Sequence, residues 1–213
     1  GPTGQSISPR RLGPTLVLSA TNKGKFLARL QAKGRGKLEW SGEIVEVKSD
    51  LIDSLAQQHN LARFRDELAR RDFAPLDTPF ALPADDRLRI AGTESCRACH
   101  AAECAAWQSS AHGHSWESLR ARGAHVDPYC QQCHTNAYGQ SGGFRSLADA
   151  DALKSVGCES CHGPSAAHVT DPRTPTTFAG QAADRCLHCH DRENSPQFSY
   201  EAYWTRIRHG NSP

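Results

Sequence analysis

Cys96-Arg97-Ala98-Cys99-His100 is echoed three times further along the chain, as Cys130-Gln131-Gln132-Cys133-His134, Cys158-Glu159-Ser160-Cys161-His162 and Cys186-Leu187-His188-Cys189-His190. In each, two cysteines separated by two residues are followed at once by histidine. That spacing is the attachment motif for c-type haem: the thiols form thioether bonds to the macrocycle edge, and the histidine binds iron from one side. Two Cys-x-x-Cys pairs can also make a four-cysteine zinc site, but zinc does not need a histidine directly after every second cysteine. With 11 histidines in 213 residues, four such coincidences arise by chance about once in a hundred thousand. The sequence therefore predicts four covalently bound haems c. Cys96, Cys99, Cys130, Cys133, Cys158, Cys161, Cys186 and Cys189 attach them, and His100, His134, His162 and His190 are the proximal ligands.

The composition fits a chain whose core is largely cofactor. Only 38% of residues are hydrophobic, and the mean hydropathy is −0.61. Four macrocycles supply the apolar surface that the side chains lack, and the segment from residue 92 to 213 spends roughly 30 residues on each. The formal charge of +2 is offset by two propionates per haem. No basic run or aromatic-basic stripe points to nucleic acid, and no apolar stretch is long enough to span a membrane. Haem is attached to such motifs outside the cytoplasm, so an extracytoplasmic location is expected. A signal peptide is then either removed or left out of the numbering, since the chain starts at Gly1. Cys104 is the one cysteine outside the motifs and reads as a buried free thiol.

Axial ligation follows in part by elimination. There is no methionine, so the His/Met ligation of high-potential cytochromes c is excluded. Removing the four proximal histidines leaves His59, His112, His114, His125, His168, His188 and His209. His188 lies between two thioether cysteines, where it is poorly placed to reach an iron. His168 follows a Gly163-Pro164 turn that reverses the chain just after a motif. His209 ends a stretch whose Trp204 and Ile207 are spaced to lie on one helix face. His112 ends a short segment carrying Trp107. His112, His168 and His209 are therefore the first candidates for distal ligands, followed by His114, His125 and His59.

The segment 92–213 resembles the tetrahaem cytochrome c-554 family. The likeness rests on Glu94-Ser95-Cys96-x-x-Cys99-His100 with Trp107 and Ser110-Ala111-His112 downstream. It continues in Asp127-Pro128-x-Cys130-x-x-Cys133-His134-Thr135 and in Val156-Gly157-Cys158-Glu159-Ser160-Cys161-His162-Gly163-Pro164 with His168. It ends on Cys186-x-x-Cys189-His190-Asp191, leading to Tyr203-Trp204 and His209-Gly210. The resemblance implies distal ligation by His112, His168 and His209, and a haem on Cys130 and Cys133 that is often five-coordinate. His114 and His125 lie close to that motif and compete for the position.

The first 91 residues read differently. Residues 15–20, 26–32 and 38–47 have strand character, with turns at Asn22-Lys23-Gly24 and Gly34-Arg35-Gly36. Asp50 can cap a helix over 51–71 with Leu51, Leu55, Leu61, Phe64 and Leu68 on one stripe. Pro75, Pro79 and Pro83 mark a linker. The expected organisation is a small antiparallel sheet plus one long helix over 1–75, a linker over 76–91, and a mainly α and irregular tetrahaem domain over 92–213 with the haems as core. The strand pattern around Asn22 to Leu30 is similar to the closing hairpins of calcineurin-like metallophosphoesterases of the 5′-nucleotidase type, whose metal ligands lie upstream and are not present here. Asp50, Asp53 and His59 read as a helix start rather than a metal site.

Three functions compete. The first is an electron carrier passing single electrons between redox protein partners. The second is a subunit of a polymeric extracellular cytochrome filament, in which copies of the chain hand electrons on. The third is an enzyme reducing a small nitrogen compound at an open haem on Cys130 and Cys133. Residues 1–13 are polar and rich in Gly and Pro, a composition that frays in a monomer. Order there would mean that a partner surface holds it, and a homo-oligomer is expected on that ground, with His59 or His125 completing the fourth haem, within the chain or across the subunit boundary. Mass spectrometry of the denatured protein should show four haem additions. Three or fewer, or zinc in their place, would sink this reading.

Overall fold

The computed structural model describes residues 6–20, 24–36, 38–80, 85, 88–176 and 182–209. Gly1 to Gln5, the Asn22-Lys23 part of the expected turn, Pro83 and Gly210 lie outside the described residues. The chain divides into two compact units, Gly1–Leu55 with His190–Phe198, and Ala56–Cys189 with Ser199–Pro213.

The first unit holds two antiparallel hairpins. Strand β1 (Ile7–Leu12) pairs with β2 (Thr15–Ser19), with Leu12 opposite Thr15. The two-residue loop Gly13-Pro14 joins them, and Gly13 has a φ of 60°, the positive value that primed two-residue turns require. This strand was not expected, and it corrects the inference drawn from residues 1–13. Residues 7–12 are held by their own hairpin, so their order gives no argument for a partner or a homo-oligomer. Strands β3 (Phe26–Lys33) and β4 (Glu39–Glu46) pair in an unbroken register from Phe26↔Glu46 to Lys33↔Glu39. Gly42 lets the hairpins approach: a Cβ there would stand 3.1 Å from Leu18 and 3.3 Å from Leu16 and Leu30. The expected single sheet is thus two two-stranded ribbons.

Helix α1 (Leu55–Arg71) begins four residues later than expected, and the division between the units falls at its first residue. The helix therefore lies with the second unit rather than with the strands. Its apolar stripe does not face a core: no residue of α1 is buried, and Leu55, Leu61 and Phe64 are exposed. Glu67 bonds to Arg70 and Arg71, the one-turn spacing that supports an exposed helix. After α1, Asp72 (φ 42°) turns the chain. Its carboxylate accepts from Ser146 Oγ at 2.6 Å and from Leu147 N at 3.1 Å.

The rest of the second unit is short helices joined by turns: α2 (Ala101–Gln108), α3 (Ser115–Arg120), α4 (Pro128–His134), α5 (Cys158–His162), α6 (Ala166–Thr170), α7 (Ala182–Leu187) and α8 (Tyr200–Ile207). Asp127 caps α4 by accepting from Tyr129 N at 2.9 Å, with Pro128 at the first helical position. Trp116, Leu119, Tyr138 and Phe144 form a small core on which Cys130 packs. Replacing Phe144, which is fully buried, by alanine should cost about 3–5 kcal/mol. Chemical denaturation of the haem-loaded protein measures this, and a loss under about 1 kcal/mol would show that this cluster is not a structural core.

Candidate haem-binding site

Three of the four motifs are set by local structure. Thr93–Cys96 makes a 3-10 turn that leads into the first motif and on to α2. The second motif lies on α4, and the third is α5 itself, stopped by Gly163 at φ 75°. The fourth begins at the end of α7.

Tertiary packing then brings the first and third motifs together. Gly157, just before Cys158, approaches so closely that a Cβ would fall 2.4 Å from Thr93 Oγ1 and 2.6 Å from the Asn136 side chain. The Cys96 and Cys158 side chains lie close enough to influence each other's ionisation. The neighbouring Cys158 thiol, then burial, holds the Cys96 thiol well above its usual range, with the Glu159 charge adding to both. The neighbouring Cys96 thiol brings Cys158 down to about 7, against the opposing effect of burial. The chain forms no disulfide among its nine cysteines, and among the described residues no three of His, Cys, Asp and Glu converge as a zinc site requires. Cys104 is buried on α2, and burial pushes its thiol up.

A cavity of about 690 Å³ opens between these segments, within the range of cofactor sites. Cys96, Cys99 and His100 line it from the first motif, and Cys158, Cys161 and His162 from the third. His112, His168 and His209 also reach its wall. Two pairs of histidine rings lie near each other in this unit. The rings of His100 and His168 have centres 6.3 Å apart with planes 33° from parallel. Those of His162 and His209 are 6.0 Å apart at 49°. A metal–imidazole bond is about 2 Å long and the nitrogen sits about 1.1 Å from its ring centre, so two imidazoles on opposite sides of one ion have centres about 6 Å apart. Both spacings leave room for one ion.

The tautomers suit the same task. His134 Nδ1 lies 3.2 Å from the Ser115 carbonyl, His168 Nδ1 2.8 Å from the Thr174 carbonyl and His209 Nδ1 2.8 Å from the Ile207 carbonyl. A carbonyl can only accept, so in each ring Nδ1 carries the proton and Nε2 keeps its lone pair for a metal. In the first unit, His190 Nδ1 lies 3.1 Å from Ser195 Oγ, and its ring stacks on Phe198 at 4.7 Å. Burial, helped by the charges of His209, His100 and Arg185, lowers the His162 pKa and so favours the neutral ring that metal binding needs.

The other candidates are placed differently. His125 is half-buried, edge-on to Trp116 at 5.8 Å, with Nδ1 buried and without a partner; burial lowers its pKa. His114 is exposed at the start of α3, and His59 is exposed on α1. Among the described residues no second histidine ring stands opposite His134. Sequence reasoning passed over the residues that orient the ligands, namely the carbonyls of Ser115, Thr174 and Ile207. Main-chain acceptors leave no mark on a sequence. It also passed over Glu159, a charged residue inside a motif that is 3% exposed.

The family model described as cytochrome c554 and c-prime matches residues 95–163. That span is similar to a c-type cytochrome. It holds the first three motifs and supports covalent haem on them. Cytochrome c-554 of Nitrosomonas europaea is 30% identical over an alignment of 148 residues that covers 54% of this chain and 63% of that protein. The chain thus spans less than two-thirds of that relative's length. A solved structure of the reduced state of cytochrome c554 from Nitrosomonas europaea shares 25% identity, covering 57% of this chain and 79% of that one with a TM-score of 0.38. No described helix is long and apolar enough to cross a membrane.

Proposed function

We propose that this chain is an extracytoplasmic tetrahaem c-type cytochrome that carries single electrons between redox protein partners. The observation that carries the reading is the two facing imidazole pairs, 6.3 and 6.0 Å between centres, on the wall of a cavity that also bears the cysteines of two attachment motifs. Covalent haem supplies the one-electron chemistry. The chain's own residues hold its iron between two nitrogens, exclude water and keep the cofactors close. His100 and His168 would together hold the iron of the haem on Cys96 and Cys99. His162 and His209 would together hold the iron of the haem on Cys158 and Cys161. Each distal ligand thus belongs to a haem other than the one attached nearest to it in sequence. His112, on the wall of the same cavity, is the third distal ligand proposed. Because Cys96 and Cys158 are neighbours on one cavity, the first and third motifs would hold their haems close together, as fast transfer between them needs.

The haem on Cys130 and Cys133 stands apart. Among the described residues no second histidine ring lies beside His134, so this haem would be held from one side, by His134. That favours a second reading, in which a small nitrogen compound is bound or reduced there. Neither the filament nor the homo-oligomer has an observation on its side once residues 7–12 are seen to be held by their own hairpin. The family match does not reach the hairpins of the first unit, and their likeness to metallophosphoesterase strands remains a proposal without a functional part here.

The wild-type spectrum should therefore show three low-spin haems and one high-spin haem. His209→Ala should convert one further haem to high spin, and His168→Ala should do the same for a different one. An unchanged electron paramagnetic resonance spectrum in either variant would remove that histidine from the ligand set.

A further inference from the structure

Glu159 is the second residue of the third motif, and its carboxylate is buried beside the haem cavity. Oε1 accepts from Ala91 N at 2.7 Å and from Ser165 N at 2.9 Å, and Oε2 accepts from Gly92 N at 2.8 Å. Three backbone N–H groups thus donate to one carboxylate, which supplies the acceptors that they need. These donors solvate the charge without cancelling it, because none of them is a cation. The residue itself is 3% exposed, so little water screens the charge. It lines the cavity shared by the first and third motifs, directly beside Cys158, which in turn meets Cys96.

We infer that Glu159 is a fixed negative charge that sets the reduction potentials of the haems on Cys96/Cys99 and Cys158/Cys161. This rests on the reading of those motifs as haem sites. The physics is direct. The oxidised centre carries one more positive charge than the reduced one, so a nearby anion stabilises the oxidised state more. Within a protein interior that preference is far larger than in water. Both haems that share the cavity are held low, and electrons leave them readily for the other two. A structural role alone, in which the carboxylate only ties residues 91, 92 and 165 to the motif, would make no demand on charge.

The test is spectroelectrochemical titration of the four-haem protein with Glu159→Gln and Glu159→Asp. Haem loading is counted by mass in each variant, so failure of the tetrahaem reading shows as missing haem mass, separately from any change in potential. In Glu159→Gln two of the four haems should titrate higher. Each should change its reduction equilibrium constant about tenfold, which is 59 mV for a one-electron couple, while the other two stay in place. Glu159→Asp, which keeps the charge, should stay at wild-type potentials. Fully loaded Glu159→Gln protein with unmoved potentials would overturn the inference, as would Glu159→Asp shifting as far as Glu159→Gln. Should Glu159→Gln not accumulate as holoprotein, the wild type decides. The haems on the first and third motifs must then titrate below the haem on Cys186 and Cys189, and either one lying above it would overturn the inference.

Discussion

An imidazole binds a metal only through a nitrogen lone pair, and on the proposed reading the second unit is arranged around delivering that lone pair. Three of the candidate ligands give their Nδ1 proton to a main-chain carbonyl, which leaves Nε2 unprotonated. Two pairs of rings stand about one ion's width apart. The short helices, the Gly163 stop and the turns after each motif serve to hold those spacings. On the same reading, a chain with few apolar residues can afford this because the cofactor would supply the apolar plate against which its side chains pack.

The contact between the first and third motifs is the second constraint. Gly157 has no Cβ to strike Thr93 and Asn136, and Glu159 ties residues 91 and 92 to the helix that carries the third motif. The end of the expected linker is therefore built into the site: Ile90 is buried and donates to Ser141 O at 2.8 Å. A side chain at position 157 or the loss of the Glu159 bonds would part the two cysteines that meet there. On the proposed reading, both haems would lose their shared wall.

What the sequence disclosed and what it hid divide along the range of the interactions. The four motifs were legible because attachment chemistry imposes a spacing of a few residues. His112, His168 and His209 could be named as candidates from the absence of methionine and the turns near them, but that His168 lies near His100 and His209 near His162 depends on packing between distant segments. The strand Ile7–Leu12 escaped notice because its Ser-Pro-Arg-Arg sequence has no apolar alternation, and only the Gly13-Pro14 turn betrays it. The stripe on α1 misled in the other direction. Its spacing is helical and the helix forms, but charged pairs along an exposed surface support it and no core covers its apolar face. Buried Glu159 was invisible for a related reason: a carboxylate inside the protein is stable only where backbone donors converge, and their convergence comes from residues 67 and 68 positions away as well as from its own loop.

The central claim is that two irons sit between histidines drawn from different parts of the chain. An experimental structure of the haem-loaded protein tests it directly. One iron should lie between Nε2 of His100 and Nε2 of His168, and another between Nε2 of His162 and Nε2 of His209. Finding His168 or His209 turned to solvent, or bound to any other iron, would contradict it.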